Sequence, residues 1–253
     1  MSLLTMIQDV ALSLGLINEE SDLTQVMANT DPTINQLRAL ANKEGRDLSS
    51  RYDWSGTIRG AVFLTTTSTT LQGTFQEGRS ALKFIATTGF PFSHIIANSM
   101  WDRTNSRPIP GSITHQKVQQ SLATNTAGPF IEYYENDKSL TFYPATGSAT
   151  ATIAYMYKSS AWVKDSSLSD TWQEKWLADD DVGILDENIM ALGIEWRYLK
   201  SKGFDYSEEF NSYERRVQEA ILHDRSHPAI NLETSRTGGP GVLGVNEGSW
   251  PAV

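Results

Sequence analysis

The hydrophobic period of this chain changes twice, and no other feature restricts its fold as strongly. Up to Trp54 the apolar residues recur at helical spacing. Leu4, Ile7, Val10, Ala11 and Leu14 make one stripe, and Ile34, Leu37, Leu40, Ala41, Leu48 and Tyr52 make a second. Ser2 and Asp31 stand where N-caps belong, and Pro32 takes the first helical position, where its missing N–H is not needed. A short helical turn is expected around residues 22–28. Gly45 is unfavourable inside a helix and predicts the close approach of another helix. From residue 55 to 163 the period drops to two, in β-branched and aromatic segments such as "TIRGAVFLTTTSTTLQGTF" and "ALKFIATT". "SHIIANSMWDRT" reads as a strand, and "SITHQKVQQSLA" reads as a short helix. "FIEYYENDKSLTFYP" reads as a hairpin turning at Glu135–Lys138. "ATATIAYMYKSSAWV" is a strand with Ile153, Tyr155 and Tyr157 on one face and Ala154 and Met156 on the other. This block holds about five to seven strands by period-two patterning. Beyond an acidic connector, "KDSSLSDTWQEKWLADDD", the helical period returns. Ile189, Leu192, Trp196 and Leu199 form one stripe, Phe210, Tyr213, Val217 and Ile221 another, and Gly203 separates them.

Helices, a β block and helices again predict an α+β chain. The terminal helices pair into a helical bundle, the β-rich block is an insertion, and an extended C-terminal tail follows. The divisions fall at 1–54 (N-terminal helices), 55–181 (β-rich insertion and acidic connector), 182–225 (C-terminal helices) and 226–253 (tail). Leu37, Leu40, Leu48, Trp54, Leu192, Trp196 and Tyr213 are the expected packing residues of the bundle. Trp54 is placed at its junction with the β block. The tail contains "SRTGGPGVLGVNEGSWPAV". It is rich in glycine yet carries Val242, Leu243, Val245, Trp250 and Pro251, apolar groups that solubility does not require.

Charge narrows the function classes. Lys plus Arg number 21 against 30 Asp plus Glu, a net charge of −9. Proteins that grip nucleic acid draw most of their affinity from cation–phosphate contacts, so tight DNA binding is not expected. A surface past which DNA slides without sticking tolerates this sign. There are no cysteines, which removes disulfides, thiolate catalysis and Cys-based zinc sites. The opening "MSLLTMIQDVALSLGL" lacks a basic segment and contains Asp9, a poor match to a signal peptide. No apolar run approaches the ~18 residues of a membrane span.

Candidate chemical motifs lack their structural context. Gly239–Gly244 spells G-x-G-x-x-G, but a dinucleotide loop needs a strand before it and a helix after it. His223 and His227 have helical metal-ligand spacing, but Pro228 turns His227 away from helical geometry. Asp179–Asp181 lacks the alternating ligands and closing Glu of a calcium loop, and reads as an acidic loop with an Asp at a helix start. No nucleophile elbow or phosphate-binding loop occurs. The tryptophans lack the interleaved cations of a nucleic-acid stacking platform and read as core or interface. No catalytic residue, cofactor or metal is assigned.

Three segments, "LRALANKEGRDLSSRYDW", "NSMWDRTNSRPIPGSITHQKVQQ" and "LDENIMALGIEWRYLKSKGFDYSEEFNSYERRVQEAI", resemble the head-to-tail adaptor, or connector, proteins of tailed double-stranded DNA bacteriophages. The similarity runs from about residue 3 to about residue 232. It rests on the number and order of segments rather than on a catalytic signature. The resemblance implies a non-enzymatic virion protein, made in the host cytoplasm and located at the capsid vertex. It implies a ring, dodecameric in that family, docked beneath the portal protein, with tail or nozzle proteins on its far side and neighbouring copies of itself around it. Double-stranded DNA passes through the lumen without specific binding, and no membrane is involved. A C-terminal extension that embraces the portal is common in such adaptors. This chain continues past Ala229–Leu232, where shorter members stop. Residues 226–253 reach at most ~90 Å when extended, enough to leave one subunit and contact a neighbour. Val242, Leu243, Val245, Trp250 and Pro251 are then expected to anchor the tail on the portal or on a neighbouring subunit. Two alternatives remain at this level: a tail-tube or nozzle component, and a cell-wall hydrolase of the tail using a carboxylate pair in the β block.

Overall fold

The computed structural model describes residues 2–65, 70–74, 91–124, 131–136, 139–144, 150–167 and 171–224. Helix α1 (Leu3–Ser13) begins where Ser2 Oγ accepts the Thr5 N–H. It buries Ile7, Val10 and Ala11 of the predicted stripe together with Leu3 and Met6, while Leu4 and Leu14 are only partly buried against the same core. Helix α2 (Pro32–Arg51) is capped by Asp31, which accepts the Thr33 N–H at 2.7 Å. Between them the helical turn lies at Glu20–Asp22, earlier than the 22–28 expected. Asp22 draws the N–H groups of Asn18 and Glu19 onto its carboxylate and closes the turn there. Leu23 and Val26 beyond it are buried in non-helical backbone.

The β block holds more strands than the sequence suggests. A five-stranded sheet is built from β1 (Ile58–Leu64), β3 (Phe92–Ile95), β4 (Trp101–Asp102), β5 (Arg107–Pro108) and β8 (Thr152–Ser159). In it β8 is central. It pairs antiparallel with β1 from Ile58↔Lys158 to Leu64↔Thr152, and with β3 and β4 on its other side. The segment expected as one strand around Ile96 is two, because Asn98 takes a left-handed conformation (φ 57°) that breaks the pleat. A three-stranded sheet consists of β2 (Leu71–Thr74), β6 (Glu132–Asn136) and β7 (Ser139–Tyr143); β6 and β7 form the expected hairpin. Helix α3 spans His115–Thr124. The two sheets share one core, with Phe63 of β1 stacked on Phe142 of β7 at 6.2 Å between ring centroids. On β8 the predicted alternation holds: Ile153, Tyr155 and Tyr157 are buried, and Met156 faces out.

The described residues of the acidic connector, together with the residues flanking it, form a third sheet of β9 (Val163–Lys164), β10 (Trp172–Gln173) and β11 (Val182–Gly183). Its apolar residues belong to the helices: Trp162, Val163, Trp176 and Leu185 lie in the core of the bundle, whereas Tyr157 lies in the core of the β block. The boundary between the two cores therefore falls near Ser160.

Helix α4 (Glu187–Lys202) starts at Asp186, whose carboxylate accepts the Ile189 N–H, and stops at Gly203 in the left-handed region (φ 78°). Helix α5 (Ser207–Asp224) returns alongside it. α4 packs against α1, α2 and α5, so it buries Met190, Gly193, Ile194 and Tyr198 as well as Ile189 and Trp196. A helix with three helical neighbours has no broad solvent face, which is why a single stripe under-describes it.

Candidate functional site

Three polar assemblies hold the bundle and set the shape of its surface. In the first, Glu44 of α2 is completely enclosed. Its Oε1 accepts from the Tyr213 hydroxyl and its Oε2 from Arg197 Nε, both at 2.6 Å. Arg197 also donates to Asp47 at 2.9 Å and lies over the Trp196 ring, 4.5 Å from its centroid. Burial, and then the Glu44 charge, push the Tyr213 phenol well above its usual range, so it stays protonated as a donor. Room for Glu44 is made by Gly193: a Cβ there would lie 2.3 Å from the Glu44 carboxyl carbon. This enclosed carboxylate lies outside the bundle's surface cleft, and its geometry is that of a strut.

The second assembly corrects the reading of Asp179–Asp181 as a helix start, a position Asp186 holds instead. Asp181 is buried and accepts the backbone N–H groups of Ser166, Leu177 and Ala178. Asp179 accepts those of Val26 and Met27, 3.1 and 2.9 Å away. The backbone carbonyls of Asp181 and Asp179 accept the first two N–H groups of α1, from Leu3 and Leu4 respectively, which have no partner inside the helix. The acidic loop is thus a clasp for the N-terminal segment.

The third assembly joins the bundle to the β block. Lys158 of β8, its side chain 7% exposed, donates to the Tyr52 carbonyl and pairs with Asp53 at 3.0 Å. His94 of β3 lies 3.3 Å from the same carboxylate. Burial raises the Asp53 carboxyl, but Lys158 and His94 outweigh it and hold the group below its ordinary range.

Among the described residues, two surface features are shaped to receive a partner. One is a cleft of ≈ 610 Å³ where the C-terminal turns of α2 and α5 meet the start of α4. Its apolar lining comes from Leu48, Trp54, Ile184, Leu185, Ile189 and Ala220, and its charged rim from Arg216, Glu219, His223 and Asp224. Asp224 draws the turn after α2 into place by accepting from both the N–H and the hydroxyl of Ser55. Trp54 spends its indole N–H on the Leu48 carbonyl at 2.8 Å and turns its apolar surface to the cleft. The other feature is the outer face of the five-stranded sheet. There Val62, Ala154 and Trp101 lie in one cross-strand row, flanked by Leu64 and Met156. Val62, Leu64, Trp101 and Met156 are all 44–59% exposed.

The packing residues read from the sequence distribute across these features. Leu37, Leu48, Trp196 and Tyr213 are buried, with Trp196 and Tyr213 in ring contact at 6.1 Å. Leu40, Leu192 and Trp54 are partly buried against the same core. Leu48 and Trp54 also reach the cleft. The tail residues Val242, Leu243, Val245, Trp250 and Pro251, with His227 and Gly239–Gly244, lie outside the described residues. His223 is exposed at the cleft rim. Among the described residues no group of three or more His, Asp or Glu side chains is placed to hold a metal. No described helix is long and apolar enough to cross a membrane. The residues the sequence does not single out are Glu44 and Arg197, whose only local signal is a charge inside an apolar stripe; it marks Asp179 and Asp181, but for a different role.

Compared with known proteins, the chain matches no family model and has no significant match among curated sequences.

Proposed function

We propose that this chain is the head-to-tail adaptor of a tailed double-stranded DNA bacteriophage, a structural protein that forms a ring beneath the portal and continues the DNA channel toward the tail. The observation that carries the reading is the outer sheet face. A monomer that works alone seldom presents a contiguous row such as Val62, Ala154 and Trp101 with Leu64 and Met156 beside it, whereas a subunit that packs against other protein surfaces does. Two further features support it. The terminal helices close on one another and carry the β block between them, the organisation the resemblance to adaptors implies. The net charge of −9 suits a conduit through which DNA must slide.

In this reading the portal protein, tail or nozzle proteins and neighbouring copies are the partners, and the DNA is cargo. The deciding experiment is cryo-electron microscopy of the particle. A ring of this α+β subunit directly under the portal is the expected result. The same subunit found along the tube or in the nozzle, or absent from the particle, would sink the adaptor assignment.

A further inference from the structure

The cleft at the end of the bundle and the composition of the C-terminal tail fit one another. Helix α5 ends at Asp224, and Asp224 is itself part of the cleft rim, so residues 225–253 begin where the cleft opens. The cleft volume of ≈ 610 Å³ lies in the range that accommodates a few apolar side chains, and its floor of Leu48, Trp54, Ile184, Leu185 and Ile189 is apolar. Besides Ile230, Leu232 and the terminal Val253, the tail carries its apolar groups in one short stretch, Val242, Leu243, Val245 and Trp250, interrupted by Gly244 and Gly248.

Reach is no obstacle. Residues 225–242 extend to roughly 60 Å, and α5 itself is roughly 27 Å long, so the stretch can turn back with slack to spare. Tethering decides whose tail arrives. A covalent tether of this length holds its end near the cleft at a local concentration of order millimolar, which outcompetes a second copy at micromolar concentration by roughly a thousandfold.

We propose that this cleft is the dock for the chain's own C-terminal segment, Val242–Trp250, in the free subunit. The proposal goes beyond the adaptor reading and does not depend on it. Where the adaptor reading holds as well, docking keeps the apolar tail covered until a partner surface competes for it.

The absence of cysteine makes the test direct. Ala220→Cys places a thiol in the cleft lining, and Gly244→Cys places one between Leu243 and Val245 without removing an anchor. The control pairs Gly244→Cys with Gln218→Cys, an exposed position outside the cleft lining and two residues, or about 200°, around α5. In the full chain under mild oxidation, the cleft pair should close an intramolecular disulfide at least about tenfold faster than the control pair. Adding Leu243→Asp and Trp250→Ser should bring the cleft pair down to the control rate. Equal rates for the two pairs, a disulfide that joins two chains, or closure unaffected by loss of the anchors would each overturn the proposal. The particle's architecture is a separate readout, so failure here leaves the adaptor assignment where it stood.

Discussion

Glu44 shows how much of this bundle depends on one side chain. It is fully buried, and each oxygen has a donor from a different helix: Tyr213 on α5 and Arg197 on α4. Removing one member of a buried, hydrogen-bonded ion pair costs about 3–5 kcal/mol, because the remaining charge stays in a poor solvent. Glu44→Ala should lower stability by that amount in urea titration, and Glu44→Gln by less, since an amide oxygen still accepts from Tyr213. A change below about 1 kcal/mol for Glu44→Ala would mean that Arg197 finds adequate compensation in Asp47 and water. Asp102 gives a second test, on pH. Its side chain is enclosed and accepts from the N–H groups of Thr104 and Asn105, the Asn105 amide and Arg107 Nε. Burial raises its carboxyl, but the bonds from Asn105 and Arg107 outweigh burial and leave it below the ordinary range. The unfolded chain therefore takes up the proton first as pH falls. The stabilisation is complete above the unfolded value of about 3.9 and is lost as pH drops through the lower folded value. Asp102→Asn should flatten that acid limb of the stability curve, and superimposable limbs would show that charge does not hold the loop.

At the scale of elements, the acidic connector carries the lesson. Its charge and its Ser and Asp content read as a linker, yet with its flanking residues it forms three short strands, and it supplies Trp176 to the helical core and a clasp for α1. Asp179→Ala leaves the Val26 and Met27 N–H groups without their acceptor, at about 1–3 kcal/mol for each buried donor left unpaired. Hydrogen exchange should accelerate at those two amides and in the first turn of α1, with α5 unchanged. Uniform acceleration through the bundle would show that the clasp is no separate unit. Gly45 was legible as a site of close approach, but not the partner. The group that comes near is the Trp162 indole, 2.1 Å from where a Cβ would stand, and not a helix. The turn period of α2 marks the position as interior; nothing within a few residues of Gly45 identifies a ring more than a hundred positions away.

For the whole molecule, the bundle, the β block and the tail make separable contributions. Deleting residues 235–253 should leave the chain folded, because the described residues up to 224 already build two cores, and under the adaptor proposal it should weaken binding to a portal. Loss of one or two apolar anchors of the size of Leu243 and Trp250 is worth about 1.5–3 kcal/mol each, or roughly tenfold to a hundredfold in affinity per anchor. Pull-down or calorimetry of full and truncated chains against the portal reads this directly; equal affinities would remove the tail from the interface.

The sequence by itself determined the α+β class, the faces of α1 and β8, the caps at Ser2 and Asp31 and the stop at Gly203. These features depend on residues one to four positions apart, where periodicity and backbone geometry act. Tertiary structure alone decided that Glu44 meets Arg197 and Tyr213, that Asp179 holds Val26, and that Asp224 and Ser55 frame a cleft. Those partners stand more than 150 residues apart. Their pairing follows from how four helices and a small sheet exclude water together, which no local pattern encodes.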